Sequence, residues 1–208
     1  MQNDPDSALL EFARMLAARD FAGAARQISR SPSLATMRVR GGATRQSPST
    51  YYFDCTGVIY AGHTLLHMAA AAHQPEIIRL LISSGADVHA KNRRGVEPLH
   101  SAAVGNPNAP DWNPDEQVAT LKALLHAGAD PNGVNYDGAT PLHRAVRTCC
   151  ALAAKALIEG GADIHRKNKS GSTPVALASK NSGWSGGSGT PAAKAQQREI
   201  LRIFAPGG

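Results

Sequence analysis

The chain has 208 residues, 42% of them hydrophobic but only 5% aromatic, with three cysteines; one domain is the default at this length, and such cysteine usage is no disulfide framework. Its formal net charge is +6, yet acids interleave with the dispersed bases, which argues against a nucleic-acid-binding protein. No run approaches the ~18 apolar residues of a membrane span, and Asp4, Asp6 and Glu11 interrupt the N-terminus, so no signal peptide and a reducing, cytoplasmic setting are expected.

The first predicted element is SALLEFARMLAAR, where Leu9, Phe12, Ala13 and Leu16 recur in a helical period behind Asp6 or Ser7. After Asp20, FAGAARQISRSPSLA offers a second, shorter helix that Pro32 stops. Residues 5–35 therefore read as a helix pair with Glu11, Arg14 and Arg19 on its outer face. Residues 36–61 follow as an inserted hairpin or irregular loop. TMRVR and TYYFD favour strands, and Gly41-Gly42 marks a turn after the first. Tyr51, Tyr52, Phe53 and Tyr60 gather there with Arg38, Arg40 and Arg45. Such residues either cover the neighbouring core or form an exposed contact patch.

From Gly62 onward a unit recurs. Gly62 and Gly95 stand 33 residues apart, as do Gly138 and Gly171, whereas Gly95 and Gly138 are 43 apart. The helix-start signatures are Thr64-Leu65-Leu66-His67, Glu97-Pro98-Leu99-His100, Thr140-Pro141-Leu142-His143 and Thr173-Pro174-Val175-Ala176. Helix ends are marked by Gly85-Ala86-Asp87, Gly128-Ala129-Asp130 and Gly161-Ala162-Asp163. The units run over 62–94, 95–137, 138–170 and 171–208. The most regular is the third. Thr140 can cap a helix, Pro141 suits its first position, and Leu142, Ala145, Val146 and Cys149 share one face. Leu152, Ala153, Ala156 and Leu157 form a second helix that Gly160-Gly161 can end. The second unit carries an inserted loop at 105–115, around NPNAPDWNPDE, and the last carries one at 181–191, around NSGWSGGSGTP.

A period of 33 with Thr-Pro-Leu-His-x-Ala and a Gly-Ala-Asp turn resembles the ankyrin repeat. Leu65 in place of proline, Glu97 in place of threonine and a fourth copy without histidine are departures. The resemblance implies a mainly all-α fold: a solenoid of stacked helix-turn-helix repeats with short hairpin or turn fingers and inserted loops. About four repeats follow a helical cap that looks like a degenerate first repeat. It also implies that His67, His100 and His143 hydrogen-bond within and between repeats. They cannot share a metal, because repeat steps are on the order of 10 Å while zinc ligands converge within roughly 2 Å.

No catalytic residue, cofactor or metal is expected. His143 lies about two helical turns from Cys149 and Cys150, on the order of 10 Å, too far to activate either thiol. GWSGGSG follows a helix, where a phosphate loop would follow a strand. The expected function is a non-catalytic module or adaptor, a monomer that binds a protein through its concave finger and first-helix surface. Arg93, Arg94, Tyr136, Arg166 and Lys167 belong to the fingers, and Arg144 and Arg147 to the first helix of the third unit. Tyr51 and Tyr52 lie in the N-terminal insertion. Trp112 and Trp184 lie in the two inserted loops, which the ankyrin arrangement sends out from one edge, away from the fingers. A basic groove would select a partner with an acidic surface. Two alternatives remain open: an enzyme or metal-binding protein built on the inserted loops, and nucleic-acid binding through the dispersed bases.

Overall fold

The computed structural model describes residues 6–43, 52–53, 57–180 and 190–205. Ten α-helices stack among them as pairs: α1 (Ser7–Ala17) with α2 (Phe21–Arg30), α3 (Leu65–Ala71) with α4 (Pro75–Ser83), α5 (Pro98–Ala102) with α6 (Pro114–His126), α7 (Pro141–Arg147) with α8 (Ala151–Glu159), and α9 (Pro174–Ser179) with α10 (Pro191–Ile203). The odd-numbered helices pack in one row and the even-numbered in a second. The architecture is an all-α solenoid.

The reason is length. The longest helices have 13 residues and the shortest has 5, and isolated helices of that size are marginal in water. Each must bury an apolar face on its neighbours. One continuous core runs from Leu9 and Phe12 through Leu66, Leu99 and Leu142 to Ile200. The ends follow local chemistry. The Thr140 N–H donates to His143 Nδ1 at 3.2 Å and the His143 N–H donates back to Thr140 Oγ1 at 3.4 Å, a reciprocal cap. After α8 the chain turns at Gly161 with φ +93°, where a side chain would be strained. Arg19, His73 and Cys149 take φ values of 52–57° in the tight turns that join α1 to α2, α3 to α4 and α7 to α8.

Among the described residues of 36–61 there are two pairings, though not strand to strand as TMRVR and TYYFD suggest. Residues 39–43 run along 59–63: the Val39 N–H donates to His63 O at 2.8 Å, and the Ala43 N–H to Ile59 O at 2.8 Å. The TYYFD segment supplies β1 (Tyr52–Phe53), which pairs antiparallel with β2 (Gly57–Val58). The Asp6 carboxylate, buried ahead of α1, accepts from the Arg40 and Gly41 N–H groups at 2.8 and 2.9 Å. The cap pair and the insertion are thereby tied together.

Both inserted loops end earlier than expected. Asn113 caps α6 by accepting from the N–H groups of Asp115 and Glu116, so Pro114 and Asp115 belong to the helix. Thr190 caps α10 by accepting from the Ala193 N–H at 3.2 Å, so Pro191 opens that helix. The two loop regions meet across the third unit, where the Thr190 hydroxyl donates to Asn108 Oδ1 at 2.6 Å.

Candidate functional site

The fingers are held by a repeated asparagine. Asn92 Oδ1 accepts from the N–H groups of Arg94 and Val96, Asn135 Oδ1 from those of Asp137 and Ala139, and Asn168 Oδ1 from those of Ser170 and Ser172. Successive fingers are joined by backbone bonds: Arg93 N–H to Ala61 O at 2.8 Å, Tyr136 N–H to Arg94 O at 3.0 Å, and Lys169 N–H to Asp137 O at 3.0 Å.

A histidine ladder runs behind them. Nδ1 of His67, His100 and His143 accepts from the backbone N–H of Thr64, Glu97 and Thr140. The proton therefore sits on Nε2, which donates to the next unit at Val96 O, Ala139 O and Ser172 O over 2.9–3.0 Å. Burial first, and then the Arg144 charge, push His100 down to about 4. Burial also pushes His63 to about 4, again with Arg144 opposing its proton. These imidazoles are neutral at neutral pH and structural in role.

In front of the first-helix row lies a groove of about 840 Å³. Tyr52, Tyr60, Arg94 and Arg144 line it toward the fingers, and Trp112 lines it toward the inserted loop. Tyr60 organises the finger end. The guanidinium carbons of Arg93 and Arg94 sit 5.0 and 5.4 Å from its ring centroid, within cation–π range. Arg94 Nη1 also donates to Tyr60 Oη at 3.3 Å, and Arg93 Nη2 donates to Ala43 O at 2.6 Å. Tyr60 itself stacks on His63 at 5.8 Å.

Arg144 forms the floor. The residue is half-buried. Burial, then Arg94 and Arg147, push the guanidinium down to about 10, so it stays charged at neutral pH. At the far end Trp112 folds back, half-buried. Its Nε1 donates to Gln117 Oε1 at 3.2 Å, and Gln117 Nε2 donates to Ala102 O at 2.9 Å. Gly105 is required beneath it: a Cβ there would lie 2.6 Å from Trp112 Nε1 and 2.8 Å from Cys150 Sγ.

The structure divides the expected contact residues. Tyr52, Arg94, Trp112 and Arg144 share this groove. Trp112 thus lines the same concavity as Arg94 and Arg144. Arg166 and Lys167 are exposed on the finger after α8, and Tyr136 is 62% exposed, with its ring over Gly95. Arg147 is exposed on α7; Arg93 lies behind Tyr60. None of these five lines the groove. Tyr51 and Trp184 lie outside the described residues. Sequence reasoning missed Gln117 and the finger asparagines. The asparagines carried a signal, since Asn92, Asn135 and Asn168 follow the spacing of the units. Among the described residues no helix is long and apolar enough to cross a membrane.

Two family models match the chain: the ankyrin repeat over residues 61–93, and ankyrin repeats in three copies over residues 113–186. The chain belongs to the ankyrin repeat family, with about four repeats. Ankyrin repeats are in general protein–protein interaction modules, and the family is typically non-catalytic.

Proposed function

We propose that this chain is a non-catalytic adaptor that binds a protein partner along the groove between Tyr52 and Tyr60 on one side and the Trp112 loop on the other. One observation carries the reading: four distant stretches of chain bring Tyr52, Arg94, Trp112 and Arg144 to a single concavity. Aromatic and arginine side chains are the residues that dominate interface energetics. The groove is a supported feature as well, since Gln117 and Gly105 hold Trp112, and Tyr60 holds Arg94. The adaptor works as a monomer in a reducing compartment, which suits the free, buried thiols of Cys149 and Cys150.

The test compares two sets of substitutions in affinity for a partner isolated from the native cell. Tyr52→Ala and Trp112→Ala weaken binding about tenfold or more. Arg166→Glu and Lys167→Glu, outside the groove, change it about threefold or less. The reverse ranking contradicts the proposal.

A further inference from the structure

We infer that the floor of the groove receives a carboxylate, the side chain of an acidic residue on an extended partner segment, held by Arg144 with Arg94 beside it. This rests on the protein-binding reading and gives it a chemistry.

The first ground is unmet hydrogen bonding. A guanidinium has five N–H donors and no acceptor. Among the described residues the one hydrogen bond from Arg144 goes to His100 O at 3.5 Å, which is long for such a bond. The remaining guanidinium donors face the open groove, where a ligand can accept from them. The second ground is the missing anion. No carboxylate among the described residues forms an ion pair with Arg144; Asp137 reaches Arg94 instead, at 4.0 Å. Around Arg144 lie the like charges of Arg94 and Arg147 and the rings of His63 and His100; the one opposing charge acting on it is the Asp137 carboxylate, which is engaged with Arg94. With that one carboxylate turned to Arg94, Arg144 has no ion-pair partner of its own among the described residues and is complementary to an incoming anion. A planar guanidinium pairs with a carboxylate through two parallel bonds, and Tyr60 already orients Arg94.

The third ground is polarity along the groove. Its far end, near Trp112, is lined by Asp111 and Glu116, with Arg19 engaged at 3.9 Å from Asp111. A polyanion laid along the groove meets repulsion there. A peptide with an acid at the finger end and a base at the Trp112 end is complementary at both ends. The geometry thus favours a protein segment over a nucleic acid and fixes its direction.

The experiment follows the arginine Nε–Hε resonances of the full-length protein by NMR. The probe is a blocked, extended peptide with one glutamate near one end and one lysine near the other. The expected result is a saturable shift at Arg144 and Arg94. Replacing the glutamate by glutamine weakens binding about tenfold or more, as does Arg144→Gln, while Arg144→Lys restores part of it. Circular dichroism checks the fold of each variant. Should Arg144→Gln not fold, Arg94→Gln and the peptide swap decide the matter alone. The site is overturned if the glutamine peptide binds as well, if no shift appears at Arg144 up to millimolar peptide, or if shifts gather at Arg166 instead. Inorganic phosphate giving the same saturable Arg144 shift and displacing the peptide also overturns it, since any anion would then serve. A native partner that binds Arg144→Gln undiminished through the groove removes the carboxylate site and leaves the module reading intact. Peptide binding at Arg144, with a native partner that covers only the second helix row, does the opposite.

Discussion

The second and third repeats are built on one plan and differ in what joins their helices. In the third, a tight turn at Thr148–Cys150 links α7 to α8, with Cys149 at φ +57°. Nearly every side chain there serves the stack: Leu142 is fully buried and His143 bonds to the next finger. In the second, Leu99 and His100 do the same work, but residues 103–113 replace the turn and return Trp112 to the concave side. The regular copy is scaffold. The irregular copy spends extra chain on a surface the stack does not need. The proposed recognition surface is thus built where the period is broken, with Arg144 as the regular copy's contribution.

The largest expected effect tests the burial of histidines: His100 of the shared ladder and, one repeat earlier, His63. His63 and His100 are held near 4 by burial, against about 6.5 in an unfolded chain. Between these values the unfolded chain binds more protons than the folded one. Their stabilising contribution is thus complete above about pH 6.5 and is lost as pH falls toward 4, by roughly 3 kcal/mol for each histidine. Urea unfolding at a series of pH values checks this; a flat profile across that window means the imidazoles are not buried neutral. Leu142→Ala comes next, at about 2–5 kcal/mol, because a fully buried side chain leaves a cavity. A loss below about 0.5 kcal/mol would mean the third repeat is not the scaffold described.

Gly105→Ala probes the part the repeats do not share. The added methyl meets Trp112, Cys150 and Gln117, and the expected cost is about 1–3 kcal/mol. Trp112 fluorescence should shift to the red as the ring leaves Gln117. An unchanged spectrum would contradict the packing of that loop. The smallest effect concerns the tight turns. Arg19 stands at φ +57° with an exposed side chain, in the turn equivalent to Cys149. Arg19→Gly should raise stability by about 1 kcal/mol, the left-handed strain relieved outweighing the loss of a weak surface pair with Asp111. A fall in stability would show that the turn is not strained.

The stack was legible because it is periodic. A spacing of 33, helix faces repeating at three and four residues, and histidines at fixed positions each report a local rule applied several times. The groove was legible only in its ingredients. Tyr52, Arg94, Trp112 and Arg144 stood out by residue type, but nothing local says that the Trp112 loop and the fingers meet in one concavity. Tyr60 became its organising residue through contacts with Arg93, Arg94 and His63, distant in sequence or without a repeated counterpart. Gln117 reads as an ordinary polar residue at a helix start; its burial under Trp112 follows from the single inserted loop. The pairing of residues 39–43 with 59–63 escaped for the same reason, since strand partners are chosen across the chain and carry no period.

The central claim is that a partner occupies the groove made by the fingers, the first-helix row and the Trp112 loop. Hydrogen exchange of the full chain, free and in complex with its native partner, tests this most directly. The account predicts slowed exchange in residues 58–63, 92–96 and 104–113, with α4, α6 and α8 unchanged on their outer surface. Protection confined to α4, α6 and α8, with those three segments unaffected, would contradict it.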